Sequence, residues 1–132
     1  MKQRILLAQP NVTFGRNAFL PYSVGLLRAY AESQIDLRQA YEFLPFVFLR
    51  ESPGSIISRM PEPNVVGFST YLWNEQWCFA MAREAREAWP NCLIVFGGPQ
   101  VPQQDHTHRA ETFLAAHHYV DILVHHEGEH AF

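Results

Sequence analysis

VVGFSTYLWNEQWCFAMAREAREAWPNCLIVFGGPQV, residues 65–101, reads as strand, polar turn, helix, strand and a tight glycine loop. Val65 to Phe68 is a short apolar run that stops at Ser69-Thr70. A helix is expected from Asn74 to Trp89, with the Asn74 side chain able to cap an early amide. Cys78, Met81, Ala82, Ala85, Ala88 and Trp89 recur at three- and four-residue steps. Glu75, Arg83, Glu84, Arg86 and Glu87 fill most of the opposite side, so one stripe is apolar and the other wet. Pro90-Asn91 ends the helix because proline lacks the amide its continuation needs. Cys92 to Phe96 is the next strand, broken off by Gly97-Gly98-Pro99. Such a βαβ unit forces two parallel strands joined by a right-handed crossover. Ligands of these sheets bind outside the carboxyl ends of the strands, where Ser69-Thr70 and Gly97-Gly98 stand.

The same alternation continues outward. Arg4 to Ala8 reads as the first strand, ending at Gln9-Pro10. Asn11 to Leu20 is a polar loop containing Gly15, long for its position, and long ordered loops at this rim are often functional. Pro21 opens a helix to Ser33, with Val24, Leu27 and Ala31 on one side beside Leu20, Leu26 and Tyr30. Gln39 to Phe43 is a weaker strand, placed near a sheet edge because Pro45 cannot serve a central ladder. Ile56, Ile57 and Met60 suit a short helix after the turn signal Pro53-Gly54. Phe43, Phe46 and Phe48 read as a core cluster in preference to a pocket lining. Pro61-Glu62-Pro63 stiffens the entry to the central strand. After the polar loop Gln100 to Asp105, a helix is expected from Arg109 to His117, with Ala110, Phe113 and Leu114 facing inward. Asp121 to Val124 is the fifth strand and His125 to Gly128 its loop.

Five strands alternating with four helices give an α/β, Rossmann-like (flavodoxin-like) three-layer fold with a mainly parallel sheet. Strand order 2-1-3-4-5 brings Pro10-Asn11, Ser69-Thr70, Gly97-Gly98 and His126-Glu127-Gly128 to one rim.

The chain has 132 residues, which is one domain, and a formal charge of −3 with scattered basic residues makes no electrostatic case for nucleic acid. Cys78 and Cys92 read as buried free thiols, compatible with a cytoplasmic setting. No apolar run is long enough to span a membrane, and MKQRILLAQP is better explained as a strand than as a signal peptide. Several uses of the fold fail at the residues they need. QPNVTFGRN is not a dinucleotide fingerprint, and there is no G-K-[ST] triplet. Gln9 and Ser69 stand where a phospho-receiver domain needs acids, and G-F-S-T-Y is not a nucleophile elbow. His106, His108, His117, His118, His125, His126 and His130 lack a zinc framework and read as solvated or helix-terminal. A site bridging His106 or His108 with His126 is the metal alternative.

The rim is built of small residues. Ser69 offers a hydroxyl with little bulk, and Gly97-Gly98 lets a flat ligand lie against backbone, although a tight turn alone would also account for the glycines. The spaced set Pro21…Gly25-Leu26, Val66-Gly67-Phe68-Ser69-Thr70…Asn74, Phe96-Gly97-Gly98-Pro99 and Val120-Asp121-Ile122-Leu123-Val124…Glu127-Gly128-Glu129…Phe132 resembles the N-terminal cobalamin (B12)-binding domain of B12-dependent radical SAM enzymes. The resemblance covers nearly the whole chain.

It implies a corrinoid over the rim with its nucleotide tail beside the loops after the third and fourth strands. Ser69 and Thr70 would hydrogen-bond the tail, with Tyr71 and Leu72 against it. Gly97, Gly98, Pro99 and Gln100 would admit the dimethylbenzimidazole, Pro10 and Asn11 would border the site, and Glu127 and Gly128 would close its far side. It also implies a longer protein, commonly a methyltransferase, whose radical SAM domain follows residue 132. That domain would carry the 4Fe–4S cluster and S-adenosylmethionine, since two cysteines cannot supply the cluster motif. A homodimer through the exposed edge is a further expectation. The family commonly has glycine where His126 stands, so a differently shaped last loop is expected. The D-x-H-x-x-G motif of methionine-synthase-like domains is missing after the first strand. Alternatives are a degenerate or other-ligand binding or docking module without cobalamin, and a stand-alone hydrolase or metal enzyme.

Overall fold

The computed structural model describes residues 1–103 and 107–132. β1 (Gln3–Ala8) leads into a small hairpin of β2 (Thr13–Phe14) and β3 (Asn17–Ala18), then α1 (Tyr22–Ser33) and α2 (Ile35–Ala40). β4 (Tyr41–Phe43), α3 (Pro53–Arg59), β5 (Val65–Ser69) and α4 (Glu75–Ala88) follow, and β6 (Leu93–Gly97), α5 (Arg109–Ala116) and β7 (Ile122–Leu123) complete the order. The five longer-range strands form one parallel sheet in the order β4-β1-β5-β6-β7, the expected topology.

The chain moves one way across the sheet from β1 to β4 and the other way from β5 to β7. Right-handed crossovers therefore place α1 and α2 on one face and α3, α4 and α5 on the other. Period-two alternation sorts the strand residues accordingly. Leu6, Ala8, Val66, Phe68, Ile94 and Phe96 meet Ile56, Cys78, Met81, Ala82 and Ala85 in the main core. Ile5 and Leu7 face the opposite way, onto Val24 and Leu27 of α1. Phe43 and Phe46 join this second cluster, under the Arg28 guanidinium at 5.7 and 5.4 Å from their ring centres. The core reading of those two rings holds, and Phe48 is half-buried.

Several details differ from the sequence reading. The loop Asn11 to Leu20 holds the β2–β3 hairpin, turned through Gly15 at φ 61°; two-residue strands are too short to show alternation. Residues 35–40 form α2, so the strand expected from Gln39 begins at Tyr41. Ile35 and Leu37 are both exposed on that helix, leaving no buried stripe to announce it. There are thus five helices among the described residues where four were expected. Pro53-Gly54 starts α3, capped by the Ser52 hydroxyl accepting from the Ser55 amide at 3.4 Å. Ala88 is exposed, because α4 has turned its last residue away from the core.

β7 is shorter than Asp121 to Val124, yet the amides of Asp121 and Val124 still donate to the Ile94 and Phe96 carbonyls, at 2.9 and 2.8 Å. Arg86 locks this edge. It donates to the carbonyls of Pro90 and Cys92, both at 2.9 Å, and to the Asp121 carboxylate, which also accepts the Ile94 amide at 2.7 Å. Among the described residues no helix is long and apolar enough to cross a membrane.

Cys78 and Cys92 are both buried free thiols. Burial pushes both up, Cys92 to about 11, because the core disfavours the thiolate. A raised acid pKa adds stability below the unfolded value and removes it as pH climbs through the folded one. Stability should therefore fall between pH 9.0 and about 11 as the unfolded thiols ionise first. Cys92→Ala should flatten that limb in urea titrations run across the range.

Candidate functional site

The carboxyl rim is assembled around Asn74. Its side chain was expected to cap α4, but it is fully buried and makes no capping bond. Nδ2 instead donates to the carbonyls of Pro10 and Ser69, both at 3.0 Å, and Oδ1 accepts the Tyr71 amide at 2.8 Å. The reason is demand: the ends of β1 and β5 leave carbonyls with no ladder partner, and a buried carbonyl must be paired.

Thr70 performs a second tie. Its amide and its hydroxyl both donate to the Gly97 carbonyl, at 2.8 and 2.7 Å, and its own carbonyl accepts from the Gln100 amide at 3.2 Å. Gly98 lies directly against this backbone at φ 94°. A Cβ there would sit 2.6 Å from both the nitrogen and the oxygen of Thr70. The Gly98 position is thus demanded by Thr70. Gly97 is different: a Cβ would meet nothing nearer than 3.8 Å.

Beside these ties runs a cleft of about 390 Å3 between α1 and the sheet. Gly67, Val95 and Gly97 make its floor, Leu26 and Leu27 one wall, and Val124 with His126, Glu127 and Gly128 the other. Of the residues expected at a site, Ser69, Tyr71, Gly97 and Gly98 line it, as do Pro99, Glu127 and Gly128. Pro10, Asn11 and Thr70 lie buried behind it as framework. Leu72 and Gln100 are exposed and do not line the cleft. The Ser69 hydroxyl makes no hydrogen bond among the described residues. Tyr71 is fixed by its hydroxyl, 2.5 Å from that of Ser23, and stacks on Trp73 at 4.7 Å. Trp73 donates to the Asn11 side chain at 3.3 Å, and Asn11 in turn donates to the carbonyls of Phe19 and Leu20.

The last loop reaches the cleft through a strained residue. His126 has φ 61°, the left-handed region that glycine occupies freely and other residues at a cost of about 1–2 kcal/mol. The loop thus adopts a glycine-like backbone with a histidine in it. The chain then turns back, the Phe132 amide donating to the Gly128 carbonyl at 2.8 Å. The Phe132 ring comes to rest over Gly67, 3.1 Å from where a Cβ would stand. Tyr30 and His130 hold the turn at 3.0 Å.

The histidines are dispersed. His117, half-buried, stacks on Phe79 and Phe113 at 4.6 and 4.2 Å. His108 precedes α5, and His106, with the bridging metal site that involves it, lies outside the described residues. Among the described residues no group of three or more potential ligands could hold a metal ion.

Sequence reasoning missed Gly67, Gln103, Phe132 and the contribution of α1. A glycine inside a strand signals a close approach, so Gly67 was open to notice. The others become neighbours only through the tertiary fold.

A doubly wound α/β domain with a ligand-sized cleft at its carboxyl rim is therefore the class defined by fold and site. No family model matches the chain. It is 42% identical over 120 residues to the 2-(S-pantetheinyl)-carbapenam-3-carboxylate methyltransferase of Streptantibioticus cattleyicolor, covering 89% of this chain. It is 41% identical over 114 residues to the cobalamin-dependent radical SAM methyltransferase TokK of Streptomyces tokunonensis, covering 86% of this chain. The chain spans only 17% and 16% of the lengths of these curated relatives. It is a homologue of one segment of such methyltransferases, and the resemblance to B12-dependent radical SAM enzymes is borne out.

Three substitutions test the framework. Asn74→Ala strands two carbonyls and one amide and should lower stability by about 3 kcal/mol in urea unfolding. Gly98→Ala should cost about 1–3 kcal/mol, whereas Gly97→Ala should leave the urea midpoint unchanged or raised.

Proposed function

We propose that this domain holds a cobalamin at the carboxyl rim of its sheet, as one part of a radical SAM methyltransferase. The observation that carries the reading is the floor of the cleft. Gly67 and Gly97 flank Val95 there, leaving an apolar strip nearly free of side chains between Leu27 and Val124. A flat, apolar heterocycle such as dimethylbenzimidazole matches that strip in shape and polarity. The homology with a cobalamin-dependent enzyme supports the same ligand.

In this reading Ser69 meets the tail with its hydroxyl, and Gly97 admits the ring to the backbone. Leu26 and Leu27 press on it from α1, while Glu127 and Gly128 close the far side. Pro10, Asn11 and Thr70 hold the shape of the site. Cobalamin supplies a methyl carrier when bound. The cleavage of S-adenosylmethionine and its iron–sulfur cluster belong to another domain of the whole protein, because Cys78 and Cys92 are buried away from the cleft. A reducing cytoplasm suits such a cluster and these free thiols.

One observation favours a second reading, a docking module that takes no corrinoid. The Phe132 ring already rests on Gly67, so the chain itself fills the inner end of the strip.

Visible-absorption titration with hydroxocobalamin, followed by gel filtration, separates the two. The corrinoid reading expects colour to co-elute in equimolar amount. Gly97→Leu should weaken uptake by about tenfold or more through overpacking, with the unfolding midpoint retained. Colourless protein from the wild type would favour the docking module.

A further inference from the structure

The cleft shares its face of the sheet with a second apolar cavity of about 230 Å3. Val65, Leu93 and Ile122 of the strands line that cavity, with Tyr30, Ala31 and Leu37 of the helices. Strand register puts the two spaces in order. Ser69 pairs with Gly97, Gly67 with Val95 and Val65 with Leu93, three successive rows on one side of the pleat. The first row belongs to the cleft and the third to the second cavity, while Val95 of the middle row lines both. Neighbouring rows are about 7 Å apart.

Phe132 stands on the middle row. It lines both spaces, as do Leu27, Val124 and Glu129. Gly67 is the seat of its ring: a Cβ there would lie 3.1 Å from the ring and 2.8 Å from a Leu7 methyl group. Any side chain at residue 67 would have to displace one of them.

The ring is held in this position by the turn that carries it. The Ala131 and Phe132 amides both donate to the Gly128 carbonyl, at 3.1 and 2.8 Å. His130 meets Tyr30 of α1 through a hydrogen bond of 3.0 Å and an edge-on ring contact at 5.1 Å. At Gly128 a Cβ would come within 3.1 Å of a Leu27 methyl group, so the start of the turn is also pressed onto α1. Behind the ring lies the second cavity. A flat apolar group entering over Gly97 passes Val95 and is stopped by Phe132.

We propose that Phe132 is a specificity-determining residue: by dividing the two cavities it limits how long a base the cleft accepts from a corrinoid's nucleotide tail. The inference rests on the corrinoid reading and deepens it by naming the part of the ligand that one side chain measures.

Three ligands test it by equilibrium binding: hydroxocobalamin, dicyanocobinamide, which has no base, and the cobamide of naphthimidazole. In the last, a fused ring replaces the two methyl groups of dimethylbenzimidazole and lengthens the base. The wild type should prefer hydroxocobalamin to the longer cobamide by about tenfold or more, the effect of overpacking. Phe132→Ala should abolish that preference by gaining affinity for the longer cobamide, with dicyanocobinamide bound as before. Phe132→Leu, which keeps an apolar side chain on Gly67, should narrow the gap and carries the comparison if the alanine variant melts early. A preference that survives both substitutions overturns the proposal, as does a wild type that takes the two cobamides equally. Equal loss of all three ligands in the variants also overturns it and marks the ring as a structural prop. Dicyanocobinamide bound as tightly as hydroxocobalamin would leave the corrinoid reading standing and overturn this assignment, since the base would then lie outside the cleft. If the wild type takes up no corrinoid, both readings fall.

Discussion

Buried carbonyls at the ends of parallel strands must find a donor, and here the side chain of Asn74 is that donor. β1 and β5 are neighbours in the sheet, but their ladder ends before Pro10 and Ser69. One amide spans the gap and accepts the Tyr71 amide from the turn that enters α4. The approach of Tyr71 to the cleft, the start of the helix and the spacing of two strand ends are therefore set together. Thr70 and Gly98 repeat the device between β5 and β6, where the Thr70 hydroxyl and amide both donate to the Gly97 carbonyl and Gly98 packs against the Thr70 backbone. The rim is cross-tied along the border of the cleft.

The cleft itself follows from topology. Three helices pack on one face of the sheet, whereas on the other α1 supplies the helical core residues and α2 buries none. A five-stranded parallel sheet is wider than one helix, so Val95, Gly97 and Val124 are left facing a gap. Apolar strands of this kind ordinarily have both faces covered. The turn that brings Phe132 over Gly67 covers part of the gap from within the chain.

What the sequence disclosed divides along the same line. Val65 to Phe68 and Cys92 to Phe96 are apolar runs bounded by turn residues, and they gave strand identity, parallel pairing and the location of the rim. α4 was legible because five of its residues repeat on one buried stripe. α2 was not, since Ile35 and Leu37 point outward and mimic no periodic face. Asn74 was misread for a subtler reason: its local role as a cap and its tertiary role as a strand tie need the same side chain. Only the position of Pro10, 64 residues earlier, decides between them. Gly97 and Gly98 look alike in sequence, but one opens the cleft and the other accommodates Thr70.

The two-residue repeat of the strands has a consequence for how such a domain can change over time. Ile94 and Phe96 belong to the shared core, while Leu93, Val95 and Gly97 look toward the open face. Alternate letters of one pentapeptide are therefore under separate demands, one for folding and one for what is held. Substitutions at the second set can accumulate without disturbing the first. A lineage can drift from one ligand to another, or to none, while every strand keeps its place.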